Sequence, residues 1–105
     1  MQVFINIINN SKDAFKINNI ENREIKIKTE QKDNNVVITI ADTAGGIPAD
    51  KIDNIFKPYF TTKSEYNGTG LGLYIVKTII EEHYNGSIKA TNIDNGALFT
   101  ISIPN

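Results

Sequence analysis

The chain has 105 residues, 40% of them apolar, and at that length one domain can bury roughly two-thirds of its unfolded surface around a single core. Its 11 basic and 12 acidic residues are interspersed and leave a net charge of −1, which points to neither a nucleic-acid surface nor a membrane-binding patch. It has no cysteine, so a disulfide framework and a thiolate metal site are excluded, and no apolar run approaches the ~20 residues of a membrane span.

Taken in chain order, VFINIINNSKDAF places Val3, Phe4, Ile7, Ile8, Ala14 and Phe15 at helical spacing. The sequence opens within this helix with almost no lead-in, which reads as truncation of a larger domain. EIKIKTE and VVITIAD follow as β-branched runs separated by the polar cluster Asp33 to Asn35, the pattern of an antiparallel hairpin. From Thr43 to Gly70 the chain concentrates glycine and proline, with a short helical candidate at Asp50 to Ile55, so a long functional loop is expected. Leu71 to Tyr84 returns to helical spacing, with Leu71, Leu73, Ile75, Val76, Ile79 and Ile80 expected inward and Asn85-Gly86 as the stop. SIKATN and LFTISIP form a second strand pair turning at Asp94-Asn95-Gly96. The order predicts one α+β domain over residues 1–105, a two-layer sandwich with helices on one face of a mixed sheet. The richness in Asn, Ile and Lys is read as compositional bias without functional weight.

Three constellations carry chemistry. Asn6, Asn10 and Asp13 recur at four and three residues, on one stripe of the first helix. Such a stripe is either a solvated face or a set of short oxygen donors for magnesium, a hard cation that shares its ligands with phosphate. In ADTAGGIP a strand ends in Asp42 and meets a glycine turn; alone this is an ordinary turn, but a buried Asp42 could accept a hydrogen bond from an exocyclic amine such as that of adenine. NGTGLGLYIVK is a glycine turn entering a helix, where Gly68, Gly70 and Gly72 leave backbone N–H groups open to a polyphosphate. Between the last two, IFKPYFTTK sets Phe56, Tyr59 and Phe60 to pin the loop, with Lys63 either solvated or in contact with phosphate.

Taken together and in order, these segments resemble the catalytic domain of sensor histidine kinases. NIINNSKDA resembles the N box, DTAGGIP the first glycine box, IFKPYFTTK the F box, GTGLGL the second glycine box and NGALFTISIP the closing strand with its final glycine motif. The F box separates histidine kinases from the wider superfamily of gyrase, Hsp90-type chaperones and MutL. The resemblance implies a Bergerat ATP-binding fold, with ATP and magnesium bound. It assigns magnesium to Asn10, accessory positions near the phosphates to Asn6 and Asp13, and adenine recognition to Asp42 with Gly46 and Ile47 beside the base. Lys63, Gly68, Thr69, Gly70, Leu71 and Gly72 would then enclose the phosphates. It further implies a cytoplasmic module whose γ-phosphate goes to a histidine on a separate dimerisation and phosphoacceptor domain, with a response regulator downstream.

Ala44 departs from the first glycine of the usual DxGxG pattern, and Ala97 from a common threonine. His83 lies about thirteen residues beyond Gly70, roughly 20 Å along a helix, and reads as a surface or capping residue. One rival is an ATPase of the same superfamily; it would carry a Glu four residues before the magnesium Asn, where this chain has Asn6, an amide that cannot take a proton from water. The other is a nucleotide-dependent protein-binding module without phosphotransfer, against which Asn10, Asp42, GTGLGL and the F box all stand.

Overall fold

The first helix, α1 (Gln2–Ile17), buries one stripe at every fourth residue: Val3, Ile7, Ser11 and Phe15 are each under a tenth exposed. It stops in a Schellman turn, in which Ile20 N–H donates to Phe15 C=O at 3.0 Å and Asn19 N–H to Lys16 C=O at 3.2 Å. Asn19 takes φ +54°, a left-handed conformation that Asn tolerates better than most residues. The computed structural model describes residues 2–57 and 72–104.

The strands β1 (Ile25–Lys32) and β2 (Asn35–Asp42) pair through a turn at Asp33-Asn34, with Lys32 opposite Asn35 and Asp33 at φ +57°. After a short 3-10 turn at Ile52–Asn54 and the segment outside the described residues comes α2 (Gly72–Thr78), continued by a π turn at Ile79–His83. β3 (Ser87–Ile93) and β4 (Gly96–Pro104) close the chain. The sheet order is β1-β2-β4-β3.

The expectation of a mixed sheet is corrected, because every pairing among the described residues is antiparallel. The reason is topological. β2, α2 and β3 form a crossover whose two strands point the same way, and β4 folds back between them. β2 and β3 therefore never meet, and no parallel ladder forms.

Residues directly opposite one another share a face. Ile27, Ile40, Phe99 and Ala90 form one helix-facing row, and Thr29, Ile38, Ile101 and Ile88 form the next. The core joins Val3 and Ile7 of α1, Val76 of α2 and Ile80 of the π turn to Ile40, Ile88, Ala97, Phe99 and Ile101 of the sheet. Each such side chain contributes about 1.5–3 kcal/mol when fully buried. None of the buried cluster comes from β1, and Ile27 stays 50% exposed at the uncovered end of its row.

Two details of α2 differ from expectation. Ile75 is 37% exposed, because Leu73, Val76 and Ile80 already define the inward stripe and Ile75 lies about a quarter turn off it. The final turn is π rather than α, which brings the adjacent Ile79 and Ile80 both against the core. The stop at Asn85-Gly86 holds: Asn85 takes φ +54° and Gly86 N–H reaches back to Ile80 C=O at 2.8 Å. Phe56 packs edge-on to Phe99 with centroids 6.3 Å apart, the pinning expected of a loop aromatic. Among the described residues no helix is long and apolar enough to cross a membrane.

Candidate functional site

Alternation along β2 puts Asp42 on the same face as Ile40, so a carboxylate closes a strand whose other inward residues are apolar. It is only 5% exposed. Burying such a group is costly without partners, and three donors supply them. Ser11 Oγ–H donates to Oδ2 at 2.6 Å, and the N–H groups of Ala44 and Ala97 donate to Oδ1 at 3.1 Å each. A carboxylate has about four lone-pair positions, so Oδ2 keeps capacity for one further donor. β4 comes close enough to deliver the Ala97 N–H because the preceding residue is glycine. A Cβ on Gly96 would stand 1.6 Å from the Asp42 carbonyl oxygen.

The glycine turn after Asp42 is held from two sides. From the end of α1, Asn18 Nδ2–H donates to Ala44 C=O at 2.6 Å. From the β3–β4 hairpin, Asn95 C=O accepts from Gly45 N–H at 2.9 Å. Asn92 makes two bonds to Ile47, accepting from its N–H and donating to its C=O, both at 2.7 Å. Positive φ falls on Gly45 (98°) and Gly46 (84°) and not on Ala44, so alanine at that position needs no strained backbone.

The polar stripe of α1 is half-buried: Asn6, Asn10 and Asp13 lie between the buried stripe and solvent. Asn6 Nδ2–H donates to Gly72 C=O at 3.2 Å and so ties α1 to the first residue of α2. Gly72 itself is exposed, and among the described residues a Cβ there would meet nothing within 4 Å. Among the described residues no group of three or more His, Cys, Asp or Glu could hold a metal ion. A hard cation at Asn10 would therefore share its shell with phosphate oxygens and water, as magnesium commonly does.

The structure thus brings Asp42, Gly46 and Ile47 together beside α1, and Asn6 together with Gly72. Lys63, Gly68, Thr69, Gly70 and Leu71 lie outside the described residues, as do Tyr59 and Phe60. His83 is exposed in the last turn after α2, at the far end from Gly72. Sequence reasoning missed Ser11, Asn18 and Asn92, together with the backbone N–H groups of Ala44 and Ala97. Ser11 did leave a signal, since it is the one polar member of the every-fourth-residue stripe Val3, Ile7, Ser11 and Phe15.

Residues 1–105 match the family described as Histidine kinase-, DNA gyrase B-, and HSP90-like ATPase. The sensor histidine kinase ZraS of Salmonella typhimurium is 46% identical over 86 residues, which cover 78% of this chain and 18% of that protein. The chain thus spans under a fifth of the length of that relative. Among solved structures, the nucleotide-free catalytic domain of histidine kinase ThkA superposes with a TM-score of 0.82 at 39% identity, covering 98% of this chain and 64% of that one. ThkA in complex with the response regulator protein TrrA matches with a TM-score of 0.67 at 34% identity, covering 94% of this chain and 27% of that one.

Proposed function

This chain belongs to the Histidine kinase-, DNA gyrase B-, and HSP90-like ATPase family, and on that premise we propose that it binds Mg-ATP and presents the γ-phosphate to a histidine on a separate dimerisation and phosphoacceptor domain, as the catalytic module of a two-component sensor kinase. A response regulator would receive the phosphoryl group afterwards; the named complex of ThkA with TrrA supports that order by analogy.

The observation that carries this reading is the state of Asp42. A buried carboxylate fixed by three donors, with one acceptor position left on Oδ2, suits an exocyclic amine and rejects a carbonyl. Adenine presents an amine at its six-position where guanine presents a carbonyl. Gly46 and Ile47 would flank the base. Asn10 would hold the metal through a neutral oxygen that does not repel phosphate, with Asn6 and Asp13 near the same groups. Lys63, Gly68, Thr69, Gly70, Leu71 and Gly72 would enclose the phosphates. Magnesium, when bound with nucleotide, supplies charge neutralisation at the phosphate oxygens. The protein's own part is positioning: Asp42 fixes the base, α1 aligns the phosphates and the partner histidine attacks in line.

Asn6 also speaks against self-contained hydrolysis. Its amide N–H is used on the Gly72 carbonyl, a bond that a deprotonated general base could not donate. His83 stands too far along α2 to be the acceptor, so the chain alone should gain no acid-labile phosphate. The direct test is calorimetry on Asp42→Asn. ATP affinity should drop by on the order of 1–3 kcal/mol, since the amide leaves one buried donor facing another. Unchanged ATP affinity, or GTP bound by the parent as tightly as ATP, would refute the adenine assignment.

A further inference from the structure

Resting on the nucleotide reading above, we propose that Asn92 is a positioning residue for the nucleobase, a two-point clamp that sets the height of Ile47 against the ring. Asn92 stands on the edge strand β3 opposite Ala97, whose own N–H holds Asp42. Its row is the helix-facing one, because Ala97 alternates with the buried Phe99 and Ile101. From there the side-chain amide pairs with both polar groups of the Ile47 main chain, at 2.7 Å each. A planar amide paired in this way reproduces what a neighbouring strand would offer, for one residue only. The peptide of Ile47 then has one allowed height and tilt relative to the sheet.

Two further observations show that the surroundings fit the clamp. A Cβ on Gly46 would lie 3.0 Å from Asn92 Oδ1, so the glycine at that position admits the amide as well as its positive φ. Asn95 C=O, in the second residue of the turn, accepts from Gly45 N–H at 2.9 Å. The hairpin β3–β4 therefore grips the loop at Gly45 and Ile47 while its second strand grips Asp42. One rigid element fixes both the polar contact and the apolar contact that the base would make. The clamp orders the loop before any ligand arrives, and binding then loses less conformational freedom.

The test uses the chain with methyl-labelled isoleucine and ADP with magnesium as probe. In the parent, ADP should bind and move the Ile47 δ1 methyl resonance by the ring current of the base. In Asn92→Ala the thermal midpoint without ligand should stay near the parent's, because both lost bonds are exposed. ADP affinity should fall roughly five- to tenfold, the size expected when binding must itself order the Ile47 loop, and the Ile47 shift at saturation should shrink. Should Asn92→Ala fail to fold, Asn92→Asp decides, since it keeps the acceptor for Ile47 N–H and lacks the donor to its C=O; it should lose affinity and methyl shift in the same sense. A folded variant with the parent's ADP affinity, or with reduced affinity but an undiminished Ile47 shift at saturation, overturns the clamp. A parent that binds no ADP instead overturns the nucleotide reading beneath it.

Discussion

The two ends of the candidate site are built on opposite plans. At the base end, Asp42 and Ser11 are 5% and 0% exposed, and donors arrive from α1, the glycine turn and β4. At the end proposed for phosphate, Asn6, Asn10 and Asp13 are half-buried amides and a carboxyl on one helix, and a Cβ on Gly72 would meet no described residue within 4 Å. The difference follows from charge and solvent. A buried carboxylate must be satisfied within the protein, which fixes its geometry in advance. Half-buried oxygens also reach solvent, so a ligand there competes with water as well as with protein partners. On the proposed reading, the base would be selected at the enclosed end, and metal and phosphate would be met at the solvent-facing one.

The strongest way to break this contrast is Gly96→Ala. Its Cβ would overlap the Asp42 carbonyl oxygen, which is backbone and has no rotamer to yield. Denaturant titration should show a loss of at least about 3 kcal/mol, at the upper end of overpacking effects. The matching change at the end proposed for phosphate, Gly72→Ala, should leave stability unchanged or slightly higher, because the new methyl meets no described residue and alanine favours a helix. Equal effects at the two glycines would erase the distinction between the ends.

Ser11→Ala comes next. It removes the shortest bond to a buried carboxylate, and hydrogen bonds to charged groups contribute about 1.5–3 kcal/mol. Thermal and chemical unfolding should both register that loss. A neutral outcome would mean that water replaces the hydroxyl and that Asp42 is less enclosed than its exposure indicates.

At the other end, Asn10→Ala should change stability by less than about 1 kcal/mol, as is usual for a half-buried polar side chain, while abolishing the magnesium dependence of ATP binding. Metal-free ADP should bind parent and variant alike. Equal loss of metal-free ADP would make Asn10 a structural residue.

These contrasts explain which parts of the molecule could be read from sequence. Helices and strands were legible because periodicity reports burial directly: every fourth residue of α1 and every second residue of β2 and β4 do face the core. Asp42 alone read as an ordinary turn residue and became a candidate only through the resemblance carried by the ordered motifs; its burial is what the structure adds. The sheet's pairing was not legible, since alternation says that β2 and β3 are strands but not that β4 slips between them. Nor does it show that Ile27 lies beyond the reach of both helices. Ile75 was misplaced inward for a related reason, as an apolar residue next to a stripe looks like part of it. The asparagines were the largest omission. Setting their abundance aside as bias hid Asn18 and Asn92, which hold the glycine turn from opposite sides and lie 26 and 45 residues from their partners in sequence.

The smallest expected effect lies away from both ends. Lys77 and Glu81 pair at 3.8 Å on the exposed side of α2, each more than two-fifths exposed. Solvent screening leaves such a pair less than about 0.5 kcal/mol. Glu81→Gln should shift the unfolding midpoint within error and leave nucleotide affinity untouched, and a large effect on either would mean that α2 reports on the site over its full length.

The order β1-β2-β4-β3 has a consequence for biosynthesis. β4 leaves the ribosome after β1, β2 and β3, yet it occupies an interior place in the sheet and supplies Ala97, Phe99 and Ile101 to the core. Until it emerges, β2 and β3 have no common neighbour and the Asp42 carboxylate lacks its Ala97 donor. Folding of this sheet must therefore wait for β4. A premature stop just ahead of Gly96 would remove the sheet's centre rather than fray its margin, and the product should be a substrate for proteolysis instead of a weakened enzyme.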